Sequence, residues 1–145
     1  MRLPSLLPAL LCVPLALSGC LESSKDQFIA DYQPLNDRLV TLNGKLVKTL
    51  NTPSSPGRLA TELTPLSGEL TRLSRQISGL DTPEDLRQES DALSRTLART
   101  GSGADRAASA ARAADRRDLL AATKRLADDV NRGIRQADRL ARAAG

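Results

Sequence analysis

Apolar residues recur every three or four positions along most of this chain, which is the spacing of one face of an α-helix. The first such run extends from Phe28 to Leu50 and the second from Leu59 to Leu80. Each run contains one proline, Pro34 in the first and Pro65 in the second. Because proline lacks a backbone donor, we expect a kink at these positions or a helix that starts later, near Asp31 in the first run.

Local signals predict where the first two helices begin and end. Ser24 with Gln27 three residues later has the pattern of a capping box, so we expect the first helix to start there. A turn cluster of asparagine, proline, serine and glycine over 51–57 separates it from the second helix. Thr64 could cap a restart before Pro65, and the second helix should end near Gly79.

The third helix should begin with Thr82 as its N-cap and Pro83 at the first helical position. Two glycines over 101–103 suggest a break, but the same helical spacing of small and apolar residues continues beyond them. We therefore favour one long helix to about Ala114, bent at the glycines. A loop at 100–103 is the alternative.

The fourth helix should begin after Asp115, which can serve as its N-cap. Acid-then-base pairs four residues apart support it, and these are Asp128 with Arg132 and Asp138 with Arg142. Four helices with short connections predict an all-α fold, an up-down antiparallel helical bundle. A three-helix bundle, an extended helical hairpin pair and a dimeric coiled coil are the alternatives.

The chain begins with a different pattern, in which Arg2 precedes a short apolar run from Leu6 to Leu17. One positive charge, a short apolar segment and then small residues are typical of a secretory signal peptide. The run is too short to cross a bilayer comfortably, and Pro8 and Pro14 interrupt it. A cleaved signal peptide is therefore favoured over a transmembrane helix.

The signal ends in the sequence LSGC, formed by Leu17, Ser18, Gly19 and Cys20. These four residues resemble the lipobox of bacterial lipoproteins. The resemblance implies that the Cys20 thiol receives a diacylglyceryl group and that the signal is cut before this cysteine. It predicts a signal peptide over 1–19, a lipidated tether over 20–24, and a helical domain over 25–145 on the outer side of the bacterial membrane. An ordinary free thiol is the alternative for Cys20.

The residues available for chemistry are few. Cys12 and Cys20 are the only cysteines, and the first leaves with the signal while the second carries lipid. The chain has no histidine, which removes the commonest general base and metal ligand. Neighbouring acids such as Asp128 and Asp129 are expected to solvate a helix face. We therefore expect no catalytic residue, no metal and no cofactor.

Bases are concentrated in the last helix, where residues 124–145 contain six bases and three acids. Five arginines are candidates for contact with anionic headgroups or wall polymers, namely Arg125, Arg132, Arg135, Arg139 and Arg142. A helix face held by internal salt bridges is the alternative, and we give it more weight. We expect no nucleic acid as a partner, because the aromatic residues are only Phe28 and Tyr32, which are in phase with the core.

These features predict a membrane-anchored cell-envelope lipoprotein that acts as a non-enzymatic structural or interaction module. Its lipid would hold it to the membrane, and an envelope protein is the expected kind of partner. The alternative is a lipoprotein that holds a small apolar molecule or a lipid between its helices. A large apolar cavity would favour this alternative, and a tightly filled seam would favour the module.

Overall fold

A computed structural model describes residues 19–52 and 54–145, with side chains from residue 24 onward. This part of the chain forms four α-helices and a short 3-10 helix, namely α1 (Gly19–Asn51), α2 (Pro56–Ser78), the 3-10 helix (Glu84–Leu86), α3 (Arg87–Arg112) and α4 (Arg116–Ala144). Helix α1 packs beside α2 and α4, and α3 packs beside the same two helices. The predicted all-α, up-down bundle of four helices is confirmed.

Two predicted helix starts are wrong. Helix α1 begins at Gly19, so the pair Ser24 and Gln27 lies inside the helix instead of at its start. Thr82 does not cap α3, because its Oγ1 donates to the Leu80 carbonyl at 3.2 Å. Pro83 has extended backbone angles, and the chain makes a 3-10 turn before α3 begins. The N-cap predicted for α4 is confirmed, because the Asp115 side chain accepts hydrogen bonds from the first backbone amides of this helix.

Both internal prolines lie inside continuous helices. Helix α1 runs through Pro34 and α2 through Pro65, so the later starts predicted near Asp31 and Thr64 are wrong. The Thr64 Oγ1 donates to the Ala60 carbonyl at 2.8 Å, which is a bond within a helix and not a cap. A proline removes one helical hydrogen bond, and burial of apolar residues on both sides of it keeps each helix intact.

The glycines at 101–103 do not break α3, so the predicted long helix is confirmed and the loop is wrong. Gly101 faces α2, where an added Cβ would lie 2.7 Å from Thr71 Oγ1 and 3.1 Å from the Ser67 carbonyl oxygen. Gly103 faces α4, where an added Cβ would lie 3.5 Å from Leu126 Cδ1. Gly101 therefore lets α3 approach α2 closely, whereas a Cβ at Gly103 would make an ordinary van der Waals contact with α4.

A buried serine pair lies in the same α2–α3 interface. The Ser74 hydroxyl donates to the Ser94 carbonyl at 2.8 Å, and the Ser94 hydroxyl donates to the Ser74 carbonyl at 3.0 Å. The two hydroxyl oxygens are 3.3 Å apart. Each serine thus satisfies a buried polar group on the opposite helix, which buried hydroxyls require.

Leucines from all four helices fill the core, as the spacing predicts. Fully buried leucines include Leu39, Leu46, Leu63, Leu70, Leu73, Leu93, Leu97, Leu126 and Leu140. Phe28 and Tyr32 are buried with them and their rings stack with centroids 5.6 Å apart, which confirms them as core residues. Burial and then the nearby Asp138 carboxylate raise the pKa of Tyr32 to about 12.

The two ends of the bundle contain different helix termini and different side-chain contacts. One end, which we name the α1-start end, contains the start of α1, the connection from α2 to α3, and the end of α4. There, Lys25 Nζ lies 3.7 Å from Asp85 Oδ2. At the opposite, distal end, Leu50 of α1 and Leu119 of α4 line the same groove, which has a volume of about 290 Å³. This shared groove and the effect of Asp138 on Tyr32 indicate the register of α1 against α4.

Candidate functional site

A groove between α3 and α4 opens to solvent and has a volume of about 810 Å³. Its floor consists of small residues, and its rim carries four arginines and four aspartates. The lining residues that matter below are Arg99, Gly103, Arg106, Ala110, Ala113, Asp115, Asp118, Ala121, Ala122, Arg125, Asp128, Asp129 and Arg132. We name this feature the α3–α4 groove.

Helical spacing explains why these residues meet. On α3 the lining positions follow steps of three and four, and α4 repeats the pattern in the antiparallel direction. An added Cβ on Gly103 would contact Leu126, and one on Gly133 would lie 3.7 Å from Thr96 Cγ2, which sets the register. Alanine and glycine at the floor are too small to fill the space between the two helices, so a groove remains.

The register between α3 and α4 places the charged residues at successive heights along the groove, and we call each height a level. Positive and negative levels alternate. Arg99 lies across from Arg132, and Arg106 lies across from Arg125, about 10 Å further along the helices. Asp128 lies between these two levels on α4. The groove therefore presents positive, negative and positive charge in succession, with four arginines and four aspartates in its lining.

None of these eight charged residues forms an ion pair within 4.0 Å; in the part of the chain described, the ion pairs are Lys25–Asp85 and Arg58–Glu62. The salt bridges predicted for Asp128 with Arg132 and for Asp138 with Arg142 are therefore wrong. An exposed ion pair on a helix contributes only about 0.3–0.5 kcal/mol, which the entropy of two long side chains readily offsets. Arg106 Nε donates to the Ser102 carbonyl oxygen at 3.4 Å, and none of the four groove guanidinium groups is held by a carboxylate.

The five arginines predicted as surface contacts fall into two groups. Arg125 and Arg132 line the groove, whereas Arg135, Arg139 and Arg142 are exposed on α4 outside it. Their contact with an anionic surface stays a prediction.

Sequence reasoning missed Arg99 and Arg106 of α3. These two arginines are seven residues apart, as Arg125 and Arg132 are, and α3 and α4 are joined by a short turn. Matching heptad pairs on the two arms of a helical hairpin could have revealed them.

The predicted anchor lies at the edge of what the structure describes. Leu17 and Ser18 are outside the described residues, and Gly19 and Cys20 form the first residues of the α1 backbone. The backbone of the predicted tether over 20–24 is thus helical. Among the helices described, none is long and apolar enough to cross a membrane.

The groove offers charge and shape. Within the described ranges, no group of three or more acids or thiols is placed to hold a metal ion. What the arrangement can do chemically is bind a partner through charge-assisted hydrogen bonds from arginine and to aspartate. A scan of protein-family models, a search of curated proteins and a search of solved structures each find no match for this chain.

Proposed function

We propose that this protein is a membrane-anchored cell-envelope lipoprotein and that it acts as a non-enzymatic interaction module. Its α3–α4 groove would bind an envelope protein. The observation that carries the proposal is the alternation, at helical spacing, of arginine and aspartate levels that form no ion pair with each other. The lipobox-like Leu17–Cys20 at the start of the chain supplies the anchor.

The position of Cys20 determines how the bundle is held. Because α1 begins at Gly19, the lipid would be attached to the first turn of a helix that is continuous with the bundle. Two or more acyl chains hold a protein stably on a bilayer. The α1-start end therefore lies at the membrane surface, and the Arg106–Arg125 level lies about 30 Å from the end of α4.

The pattern of charge favours a protein partner over a uniform polyanion. A polyanion would be attracted by the arginines of the groove but repelled by an equal number of aspartates. The two arginine levels are separated by seven residues, and one face of any α-helix also repeats about every seven residues. A helix with acid, base and acid at successive positions of one face matches the groove.

The filled core supports the module over the apolar-ligand alternative. Core leucines such as Leu63, Leu70 and Leu93 have no exposed surface. The grooves found at the surface of the described residues are open, and the largest has a charged rim. An apolar ligand prefers an enclosed and mainly apolar pocket.

Photo-crosslinking in cells tests this proposal. A photoreactive amino acid at Ala121, which lies exposed in the groove, should capture an envelope protein. The same amino acid at Ala98, exposed on α3 outside the groove, is the matched control and should not capture it. Replacing Cys20 with alanine should abolish the adduct from Ala121, because the bundle is no longer held at the membrane. Equal capture from both positions, or capture that is unaffected by Cys20→Ala, would contradict the proposal.

A further inference from the structure

The outer surface formed by α1 and α4 carries exposed apolar side chains. In the part of the chain that the structure describes, the large apolar side chains that remain exposed are Val40 (63 % exposed), Val47 (41 %), Leu120 (72 %) and Ile134 (37 %). Arg38 of α1 is directed toward α2, where its Nη1 donates to Gln76 Oε1 at 3.0 Å. Val40 and Val47 lie about half a turn around α1 from Arg38, on the side away from α2. Leu120 lines the groove at the distal end with Leu50 of α1, and Ile134 follows it two heptads later on the same side of α4. We name the surface that these four apolar side chains share the α1–α4 face.

A row of basic residues borders this face on the outer side of α4. Steps of seven, eleven and seven residues return to nearly the same side of a helix. They connect the members of what we name the base row, which are Arg117, Lys124, Arg135 and Arg142. All four are exposed, and none forms an ion pair within 4.0 Å with another described residue. Two acids border the row, Asp128 on the side of the α3–α4 groove and Asp138 on the side of α1, where it raises the pKa of Tyr32. Positive charge therefore predominates along the outer side of α4.

The apolar side chains and the base row both extend along the length of the bundle. Arg142 lies near the α1-start end, and Arg117 lies near the distal end, about 37 Å away along α4. Ile134 and Leu120 are separated by about 21 Å in the same direction. A lipid at the start of α1 would hold only one end of the bundle. Residues of the α1–α4 face and the base row offer membrane contacts at the other end as well.

We propose that the α1–α4 face and the base row lie on a bilayer that contains anionic lipids, so that the bundle rests on its side. This inference rests on the proposed lipid at Cys20, which brings the start of α1 to the same surface. The apolar side chains enter the boundary between headgroups and acyl chains, and the long basic side chains reach the lipid phosphates. The α1-start end stays at the membrane surface. The α3–α4 groove lies on another side of α4 and stays open to a partner.

The signs of the charges favour a lipid surface over a protein on this face. The α3–α4 groove alternates arginine with aspartate, whereas every member of the base row is basic. A bilayer with anionic lipids is negative over its whole surface and attracts each base of the row.

The exposed acids of α1 are directed away from the bilayer in this arrangement. Asp37 lines a groove with Glu69 of α2, on the side of α1 away from α4. Asp26 is exposed and lies eleven residues before Asp37, on the same side of the helix. The bundle therefore lies with α4 closer to the headgroups than the outer side of α1.

Fluorescent labels on single cysteines test this orientation. The full-length protein is purified from membranes and reconstituted into vesicles of phosphatidylcholine and the anionic phosphatidylglycerol, with lipids brominated on their acyl chains as contact quenchers. Asn131 is exposed on α4 between the apolar side chains and the base row, so Asn131→Cys places a label toward the bilayer. The protein without an introduced cysteine gives the background, since a lipidated Cys20 has no free thiol.

Gly68→Cys is the matched control for the label. Gly68 is exposed on α2, and an added Cβ there meets open space. Helix α2 packs on α1 and α3 and makes no contact with α4, so it lies diagonally opposite α4 in the bundle. A label at this position is therefore directed away from the bilayer. We expect strong quenching by brominated lipids from Asn131→Cys and only weak quenching from Gly68→Cys.

Charge removal tests the role of the base row. Adding Arg117→Gln and Lys124→Gln to Asn131→Cys removes the two bases nearest the distal end. This change should lower the ratio of lipid-contacting to free label about tenfold, with the protein still on the vesicles and with unchanged helical circular dichroism. Adding Arg72→Gln and Arg95→Gln instead removes the same charge from exposed positions on α2 and α3, and it should leave the quenching unchanged.

The possible failures are distinguishable. Equal quenching from Asn131→Cys and Gly68→Cys, with the protein still on the vesicles, would overturn this orientation and leave the anchor intact. An equal loss of quenching from both pairs of glutamine substitutions would also overturn it. So would a label on Asn131→Cys that is shielded from both brominated lipid and aqueous iodide, because a second copy would then cover the face. Protein that washes off the vesicles would contradict the proposed anchor and, with it, this inference.

Discussion

Replacing Gly101 with alanine should destabilise the bundle, although alanine is the better helix former. A Cβ at this position would lie 2.7 Å from Thr71 Oγ1 and 3.1 Å from the Ser67 carbonyl oxygen. The threonine can rotate, but its hydroxyl would then lose the 3.0 Å hydrogen bond to Ser67. The carbonyl belongs to the α2 backbone and moves only if α2 and α3 separate.

Two opposing effects determine the magnitude. Alanine in place of glycine inside a helix contributes about 0.5–1 kcal/mol of stability. Inserting a methyl group into a tightly packed contact costs about 1–3 kcal/mol. The net loss for Gly101→Ala should be about 1–2 kcal/mol, which lowers Tm by about 4–8 °C for a domain of this size.

Gly68→Ala is the matched control, because Gly68 lies inside α2 with open space around its Cβ position. Only the helix-propensity effect applies there, so this variant should gain about 0.5–1 kcal/mol. Guanidinium unfolding followed by far-ultraviolet circular dichroism measures both variants. If Gly101→Ala is as stable as Gly68→Ala, then α2 and α3 do not pack as closely as described, and the explanation of the glycines is wrong.

Three further predictions concern caps, buried hydroxyls and alkaline pH. Asp115→Ala should cost about 1 kcal/mol by removing the N-cap of α4, and Asp118→Ala, whose side chain accepts no cap hydrogen bond, should cost less than half of this in the same unfolding assay. Ser74→Ala should cost about 1 kcal/mol, and the double variant with Ser94→Ala should cost less than the sum of the two single variants, since the hydroxyls contact each other. Tyr32 is the only tyrosine, so its absorbance should titrate near pH 12 in the folded protein. Because this pKa is above the value of about 10 in an unfolded chain, stability should fall as pH rises from 10 to 12, and Tyr32→Phe should remove that part of the fall.

The periodic pattern predicts the helices and their packing well because burial of leucine dominates the stability of such a fold. At 101–103, turn residues suggest a loop, but the helical spacing of the apolar and small residues continues through them and correctly predicts a helix. The errors occur where one local signal is weighed without its tertiary context. Pro34 does not end α1, and Thr82 does not cap α3, because neighbouring packing and the extended Pro83 decide those positions.

The candidate site was only partly predictable for a related reason. Arg125 and Arg132 stand out in a basic helix, but Arg99 and Arg106 become part of the same site only when α3 and α4 are folded against each other. The predicted salt bridges also failed, since spacing along a helix permits an exposed pair without making it favourable.

Mass spectrometry of the N-terminal peptide, released from protein extracted from membranes, tests the central claim most directly. The claim is that Cys20 is the first residue of the mature protein and carries its lipid. The peptide should then begin at Cys20 and have the added mass of a diacylglyceryl group, with or without a further acyl chain. A peptide that begins upstream of Cys20, or one that contains Cys20 as an unmodified thiol, would contradict the claim.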